Sequence, residues 1–187
     1  EELPQFSVLH CDLSPWHELG ANPIQELSAG LAWLAEWSDQ LTEAGLNITQ
    51  VLNSLSLQVA TGPYYFVEIA KFRALRLLLS QFAEAYSLSL PPAGWSLSAS
   101  TPLRNKTAID AESNILRNTS EPMSAIIGGA DRLTVRPHDA LHDTPGSFSE
   151  RIARNISTLL REESQLGKTA DAAAGSYYLS HLTKQLC

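Results

Sequence analysis

The chain has 187 residues, 44% hydrophobic and 18% charged, which is enough apolar content for one core of ordinary size and a single domain. A formal charge of -7 without any Lys/Arg cluster excludes the electrostatic footprint of a nucleic-acid binder or of a protein drawn to an anionic membrane. No apolar run reaches the roughly 18 residues that span a bilayer, and the acidic start Glu1-Glu2-Leu3-Pro4 has no signal-peptide character, so a cytoplasmic or organelle-matrix chain is expected.

Phe6 to Cys11 reads as a short strand, followed after Ser14-Pro15 by one long helical pattern through Ile24, Leu27, Leu31, Leu34 and Trp37, with Ser14 as N-cap and Pro15 at N1. Val51 to Ala60 is a second strand, stopped by Thr61-Gly62-Pro63, and a helix runs from Tyr64 to about Tyr86. Gly94 to Ala99 is a third strand, a helix covers about Ala108 to Ile127, and Arg132 to Val135 is a fourth strand. Gly128-Gly129 follows a helix and precedes a strand, so it is a helix C-cap and turn, not a phosphate cradle. After a Pro/His/Asp/Gly-rich loop, Ser149 to Leu166 and Ser176 to Gln185 form the last helices. Four strands alternating with helices predict an α/β fold with a parallel sheet and right-handed crossovers, either doubly wound or part of a barrel.

The strand faces bear on that choice. Apolar and polar residues alternate along Asn53 to Val59 and Trp95 to Ser100, whereas a strand covered by helices on both faces is apolar almost throughout. With helices on the leucine face, Ser54, Ser56, Gln58, Ser96 and Ser98 would line a small, polar barrel interior, unlike the bulky filling of an ordinary barrel. The alternative is an open sheet whose hydroxyls meet solvent or backbone.

Candidate chemistry is sparse. His138, Asp139, His142 and Asp143 have metal-like spacing, but Pro137, Pro145 and Gly146 make their segment a loop with nothing to complete a ligand set, so no metal is expected. His10 and Asp12 share a strand face and His17 follows, a possible acid/base cluster at a strand end, or simply satisfied polar groups. Trp33, Trp37, Tyr64, Tyr65 and Phe66 suit core or interface packing. No nucleophile elbow, P-loop or dinucleotide fingerprint occurs. Cys11 and Cys187 have no redox or metal spacing, the four Asn-x-Ser/Thr sequons are taken as chance, and the lack of an initiating Met suggests a fragment or processed piece.

Several blocks in fixed order carry a family resemblance: Glu18-Leu19-Gly20-Ala21-Asn22, Glu68 to Arg76, Gly94-Trp95-Ser96-Leu97, Arg117-Asn118-Thr119, Gly128-Gly129, Phe148 to Asn155, Arg161 to Ser164 and Ala174 to Tyr178. Through them nearly the whole chain resembles the adenosylcobalamin-dependent acyl-CoA mutases, most closely methylmalonyl-CoA mutase. The resemblance implies that residues 1–187 form the C-terminal half of a (β/α)8 TIM-type barrel, about four βα units, with no cobalamin-binding domain, around a channel that takes the pantetheine arm of an acyl-CoA. Active members carry Ser-Gly-Tyr-His ahead of the first helix, where Ser14 and Pro15 stand at the tyrosine and histidine, and Pro15 has no proton to give. They carry His-Cys-Gln-Thr-Ser before Gly-Trp-Ser, where this chain has Ser89-Leu90-Pro91-Pro92-Ala93, so Ser89 and Pro91 replace donors. Asp139 to Gly146 has the wrong spacing for the family's Asp-x-His-x-x-Gly cobalamin ligand sequence.

The resemblance is strongest to the smaller, non-catalytic chain of heterodimeric mutases. It implies a partner large catalytic subunit that holds adenosylcobalamin and acyl-CoA substrate and interconverts (R)-methylmalonyl-CoA and succinyl-CoA, the cofactor supplying the radical chemistry. Two alternatives stay open: an active half with a different acyl substrate, and a CoA-binding module without radical chemistry. A half barrel would leave edge strands to be covered by association or a further flank.

Overall fold

The sheet is built from short segments in which every second residue is apolar. The computed structural model describes residues 9–88, 95–142 and 146–187. In chain order these form β1 (Leu9–Asp12), α1 (Ser14–Glu18), α2 (Pro23–Glu43), α3 (Ile48–Asn53), β2 (Leu55–Ala60), α4 (Tyr65–Ala85), β3 (Ser96–Ser100), α5 (Asn114–Gly128), β4 (Arg132–Thr134), α6 (Ser147–Glu162) and α7 (Tyr177–Leu186). The strands make one parallel sheet in the order β1-β2-β3-β4. The alternation of strand and helix expected from the sequence is therefore present, and a sequential order with right-handed crossovers sends the connecting helices to one face.

Register fixes what each face carries. Leu9, Cys11, Leu55, Leu57, Val59, Leu97, Ala99 and Leu133 share one face through their pairings. Most of them are buried against Leu27 and Leu34 of α2, Phe72, Leu75 and Leu79 of α4, and Ala125 of α5. The opposite face carries three cross-strand rows: His10, Ser56 and Ser96; Asp12, Gln58, Ser98 and Arg132; Ala60, Ser100 and Thr134. No large apolar side chain lies in these rows.

Three expectations need correction. Residues 51 to 54 are not strand: the segment Ile48–Asn53, with β-branched Ile48, Thr49 and Val51, is a short helix started by the Asn47 side chain, which accepts from Thr49 N. The single long helix after Ser14 is two helices. Gly20 (φ +107°) turns the chain, and a reciprocal Asn22/Gln25 capping box with Pro23 at N1 restarts it, while Leu13, not Ser14, precedes α1. The helix expected from Ala108 begins only at Asn114, whose side chain instead ties Thr107 and the His138 carbonyl. The Gly128-Gly129 turn is as expected, with Gly129 left-handed at φ +98°. Gly128 serves a second purpose, since a Cβ there would lie 2.7 Å from Phe72 Cβ and 2.9 Å from the Ile69 carbonyl, so α5 crosses α4 at backbone contact.

Candidate functional site

The polar rows face away from the helices, and their hydroxyls are partly engaged with one another. His10 Nδ1 lies 3.0 Å from Ser56 Oγ. At the C-terminal ends of the strands, Ser14 Oγ is 2.8 Å from Ser100 Oγ and receives Gln58 Nε2 at 3.4 Å. The start of α1 thus bends over the polar face above Ala60, whose methyl group leaves room for the two serines to meet. Ser56 and Ser98 are buried, Gln58 and Ser96 half-buried. Ser54 lies outside these rows: as the C-cap of α3 it donates to the Val51 carbonyl at 2.9 Å, so it is withdrawn from the face where its sequence position had placed it. Ser89 and Pro91 lie outside the described residues.

His10 and Asp12 share the polar face in neighbouring rows, and His17 is not brought to them. The Asp12 carboxylate accepts from Ser14 N at 2.9 Å and fixes the turn into α1. His17 belongs to a different set on the helix side of the sheet, a buried cluster that the sequence reading missed. Beyond Gln58, β1 has turned away and the Ala60 peptide has no strand partner on that side. Glu26 Oε1 accepts from Ala60 N at 3.1 Å, and Lys71 Nζ donates to the Ala60 carbonyl at 2.8 Å. The same ammonium donates to Glu26 at 2.9 Å and forms an ion pair with Glu68 Oε2 at 2.7 Å. All three side chains are essentially inaccessible. Buried backbone groups left unpaired are costly, so the charged trio acts in place of a missing strand.

Electrostatics follow from this burial. Desolvation pushes the Glu26 carboxyl above its ordinary value, against the pull of Lys71. Burial alone would pull Lys71 down, but the Glu68 and Glu26 carboxylates outweigh it and hold the ammonium up. Burial, reinforced by Lys71, pulls His17 below its usual range and favours the neutral ring, whose Nδ1 is 3.9 Å from Glu26. Gly62 is small because a Cβ there would meet His17 Cε1 at 2.8 Å.

A second buried pair lies beside it. Lys106 Nζ is 2.6 Å from Glu121 Oε2, Asn105 also donates to that carboxylate, and Thr61 Oγ1 donates to the Glu121 carbonyl at 3.1 Å. Burial pulls Lys106 down and pushes Glu121 up. The Glu18 carboxylate accepts from Leu103 N and Arg104 N at 2.8 and 2.9 Å. The loops after β1, β2 and β3 are therefore bolted to one another and to α5 at one end of the sheet. Nothing in this framework is aimed at the polar rows.

In the loop after β4, His142 Nε2 contacts the Ala108 carbonyl at 3.2 Å, Asp139 accepts from Gly146 N at 2.9 Å, and His138 packs edge-on against Phe148. These groups point to separate partners. Among the described residues no helix is long and apolar enough to cross a membrane.

Comparison with known proteins adds a consistent result. The methylmalonyl-CoA mutase family model matches residues 1–187. The methylmalonyl-CoA mutase small subunit of Porphyromonas gingivalis is 42% identical over 187 residues, covering 99% of this chain and 30% of its own length. That of Streptomyces virginiae is 38% identical over 186 residues, covering 100% of this chain and 30% of its own. A methylmalonyl-CoA mutase of Rhizobium meliloti is 34% identical over 190 residues, covering 100% and 26%. The chain spans less than a third of the length of these relatives. On the strength of a match along its whole length, this chain belongs to the methylmalonyl-CoA mutase family.

Proposed function

We propose that this chain is a barrel segment of a small, non-catalytic mutase subunit, one that supports a larger partner in the interconversion of (R)-methylmalonyl-CoA and succinyl-CoA. The observation that carries the reading is the fate of the histidine position. Pro15 stands where the resemblance places the family's histidine, at the N-terminal turn of α1. The nearest alternative, His17, is turned into the Glu26/Lys71/Glu68 cluster on the helix side. Ser14, at the tyrosine position, spends its hydroxyl on Ser100 and Gln58. At these two positions Pro15 has no side-chain proton and the Ser14 hydroxyl is already engaged.

A barrel is favoured over a doubly wound sheet by the sequential strand order and by the small polar residues on the face opposite the helices. On this reading the four strands are half of eight, and Ser56, Gln58, Ser96 and Ser98 line the interior. Adenosylcobalamin, when bound, supplies the radical chemistry of the reaction. The described residues of the loop after β4 do not fit it: the His142 ring is engaged with the Ala108 carbonyl and Asp139 with Gly146 N, so neither supports an imidazole for cobalt there, and the His17 ring is buried beside Glu26. We therefore assign that cofactor to the larger chain.

The test is methylmalonyl-CoA turnover with adenosylcobalamin by the full-length parent alone and mixed with the larger chain. Activity only in the mixture, above that of the larger chain by itself, is expected. Turnover by the parent alone would overturn the non-catalytic assignment and support an active half.

A further inference from the structure

α1 is little more than one turn, yet it carries a buried ring near one end and a polar-face hydroxyl at the other. Its His17 ring occupies a slot on the helix side of the sheet and is only 9% exposed. The floor of the slot is Gly62, where an added Cβ would lie 2.8 Å from His17 Cε1, 3.4 Å from its Nε2 and 3.2 Å from Glu68 Oε1. Around the ring stand Glu26 of α2, Glu68 and Lys71 of α4, and Arg104 of the loop after β3, while Glu18 shares its helix.

These surroundings suit a neutral ring. Both Glu26 oxygens are engaged, Oε1 by Ala60 N and Oε2 by Lys71, and His17 Nδ1 stands 3.9 Å from Oε2, beyond hydrogen-bond reach. Glu68 is paired with Lys71, and Glu18 accepts from Leu103 N and Arg104 N. An imidazolium would bring two N–H donors into a place whose carboxylates are already committed. Burial, Lys71 and Arg104 all disfavour the charged ring, against the pull of Glu68 and Glu18.

We propose that α1 is an acid-released latch: neutral His17 seats it in the slot, and a proton on the ring expels it toward solvent. The inference does not depend on the small-subunit reading. Expulsion breaks the contacts that α1 makes at both ends. Arg104 Nη1 loses the His17 carbonyl, now at 3.2 Å, and Ser14 leaves Ser100 and Gln58 at the ends of the strands. Acid thereby reaches the polar face through a group on the other side of the sheet.

The experiment is hydrogen exchange of the full-length parent at pH 7.5 and 5.5, read by mass spectrometry and corrected for the intrinsic rate at each pH. The reporting amides are those of Leu19, Gly20 and Ala21, bonded to the Pro15, His17 and Trp16 carbonyls. With the released ring titrating at its ordinary value of about 6.5, their protection should fall about five- to tenfold on acidification, while α2 stays protected. His17→Gln, which takes up no proton, should remove this pH dependence. Gly62→Ala fills the slot and should lower protection at residues 19–21 already at pH 7.5, with α2 reporting that the chain is folded. Equal protection at the two pH values in the wild type, the same acid loss in His17→Gln, or wild-type protection in a folded Gly62→Ala would overturn the latch. Where a variant loses protection in α2 as well, the wild-type comparison decides alone.

Discussion

Lys71 Nζ sits 2.9 Å from Glu26 Oε2, joining α4 to α2 through a lysine with no solvent access. The pair completes the peptide of Ala60 as well as each other, so neither charge can be removed without orphaning the rest. Lys71→Met in the full-length parent leaves two buried carboxylates facing each other and should cost about 3 to 5 kcal/mol in urea denaturation, the scale for breaking a buried pair. Glu26→Gln keeps a hydrogen-bonding side chain beside Ala60 and should cost clearly less. Equal losses would mean that burial volume, not charge pairing, sets the cost.

The His17 ring gives a pH signature. Its folded value lies below the ordinary 6.5, so the unfolded chain binds more protons between the two values and stability rises with pH through that window. The contribution is fully present above about 6.5 and is lost as pH falls toward the folded value. Glu26 acts in the opposite sense, because its raised carboxyl makes stability fall as pH climbs above 4.5. Comparing urea midpoints at pH 7.5 and 5.5 for wild type and His17→Gln cancels the glutamate contribution. The variant should lose less stability on acidification.

The contact between α4 and α5 admits no side chain at residue 128. Gly128→Ala places a methyl 2.9 Å from the Ile69 carbonyl, and backbone cannot swing aside as a flexible side chain would. A loss of about 1 to 3 kcal/mol is expected from overpacking, even though alanine is the better helix former. A neutral or stabilising result in thermal denaturation would show that the helices can separate freely.

Substitution on the polar face separates the functional readings. If the larger chain alone carries substrate, Ser98→Leu in this chain should leave kcat/KM of the mixed complex within about twofold, because Ser98 lies far in role from the reacting centre. An active half or a CoA-binding module predicts instead a rise in KM or loss of CoA binding. Calorimetry with CoA on the same variant supplies the second readout.

Cys11 is buried in the apolar face on the edge strand β1, and burial pushes its thiol up to about 11. It should resist iodoacetamide at pH 8 in the native parent and react after denaturation, as read by peptide mass spectrometry. Labelling of the native protein would place β1 differently.

The period-two pattern of Leu55 to Ala60 was legible because each strand has one face against helices and one face without them. The break between α1 and α2 was also written in the sequence, as Asn22-Pro23-x-Gln25, but the apolar spacing across it masked the cap. Val51 was misplaced for another reason: its β-branched neighbours favour strand, and only the Asn47 cap and packing on α2 make that turn helical. The buried charges were beyond reach. Glu68 and Lys71 look like an ordinary exposed i,i+3 pair until tertiary structure brings the Ala60 carbonyl and Glu26 to the ammonium, and Lys106 meets Glu121 only once its loop is laid on α5.

The placement of that charged trio has a consequence for how such a chain can change over time. Its costly, interdependent groups sit behind the sheet, while the rows in front hold no large apolar side chain and include the small residues Ser56, Ser96 and Ser98. Selection for a folded scaffold and selection for a reaction therefore act on different sides of the same strands. A duplicated copy relieved of chemical duty could exchange its front residues one at a time and still assemble, which is a physical route by which a catalyst becomes a supporting chain.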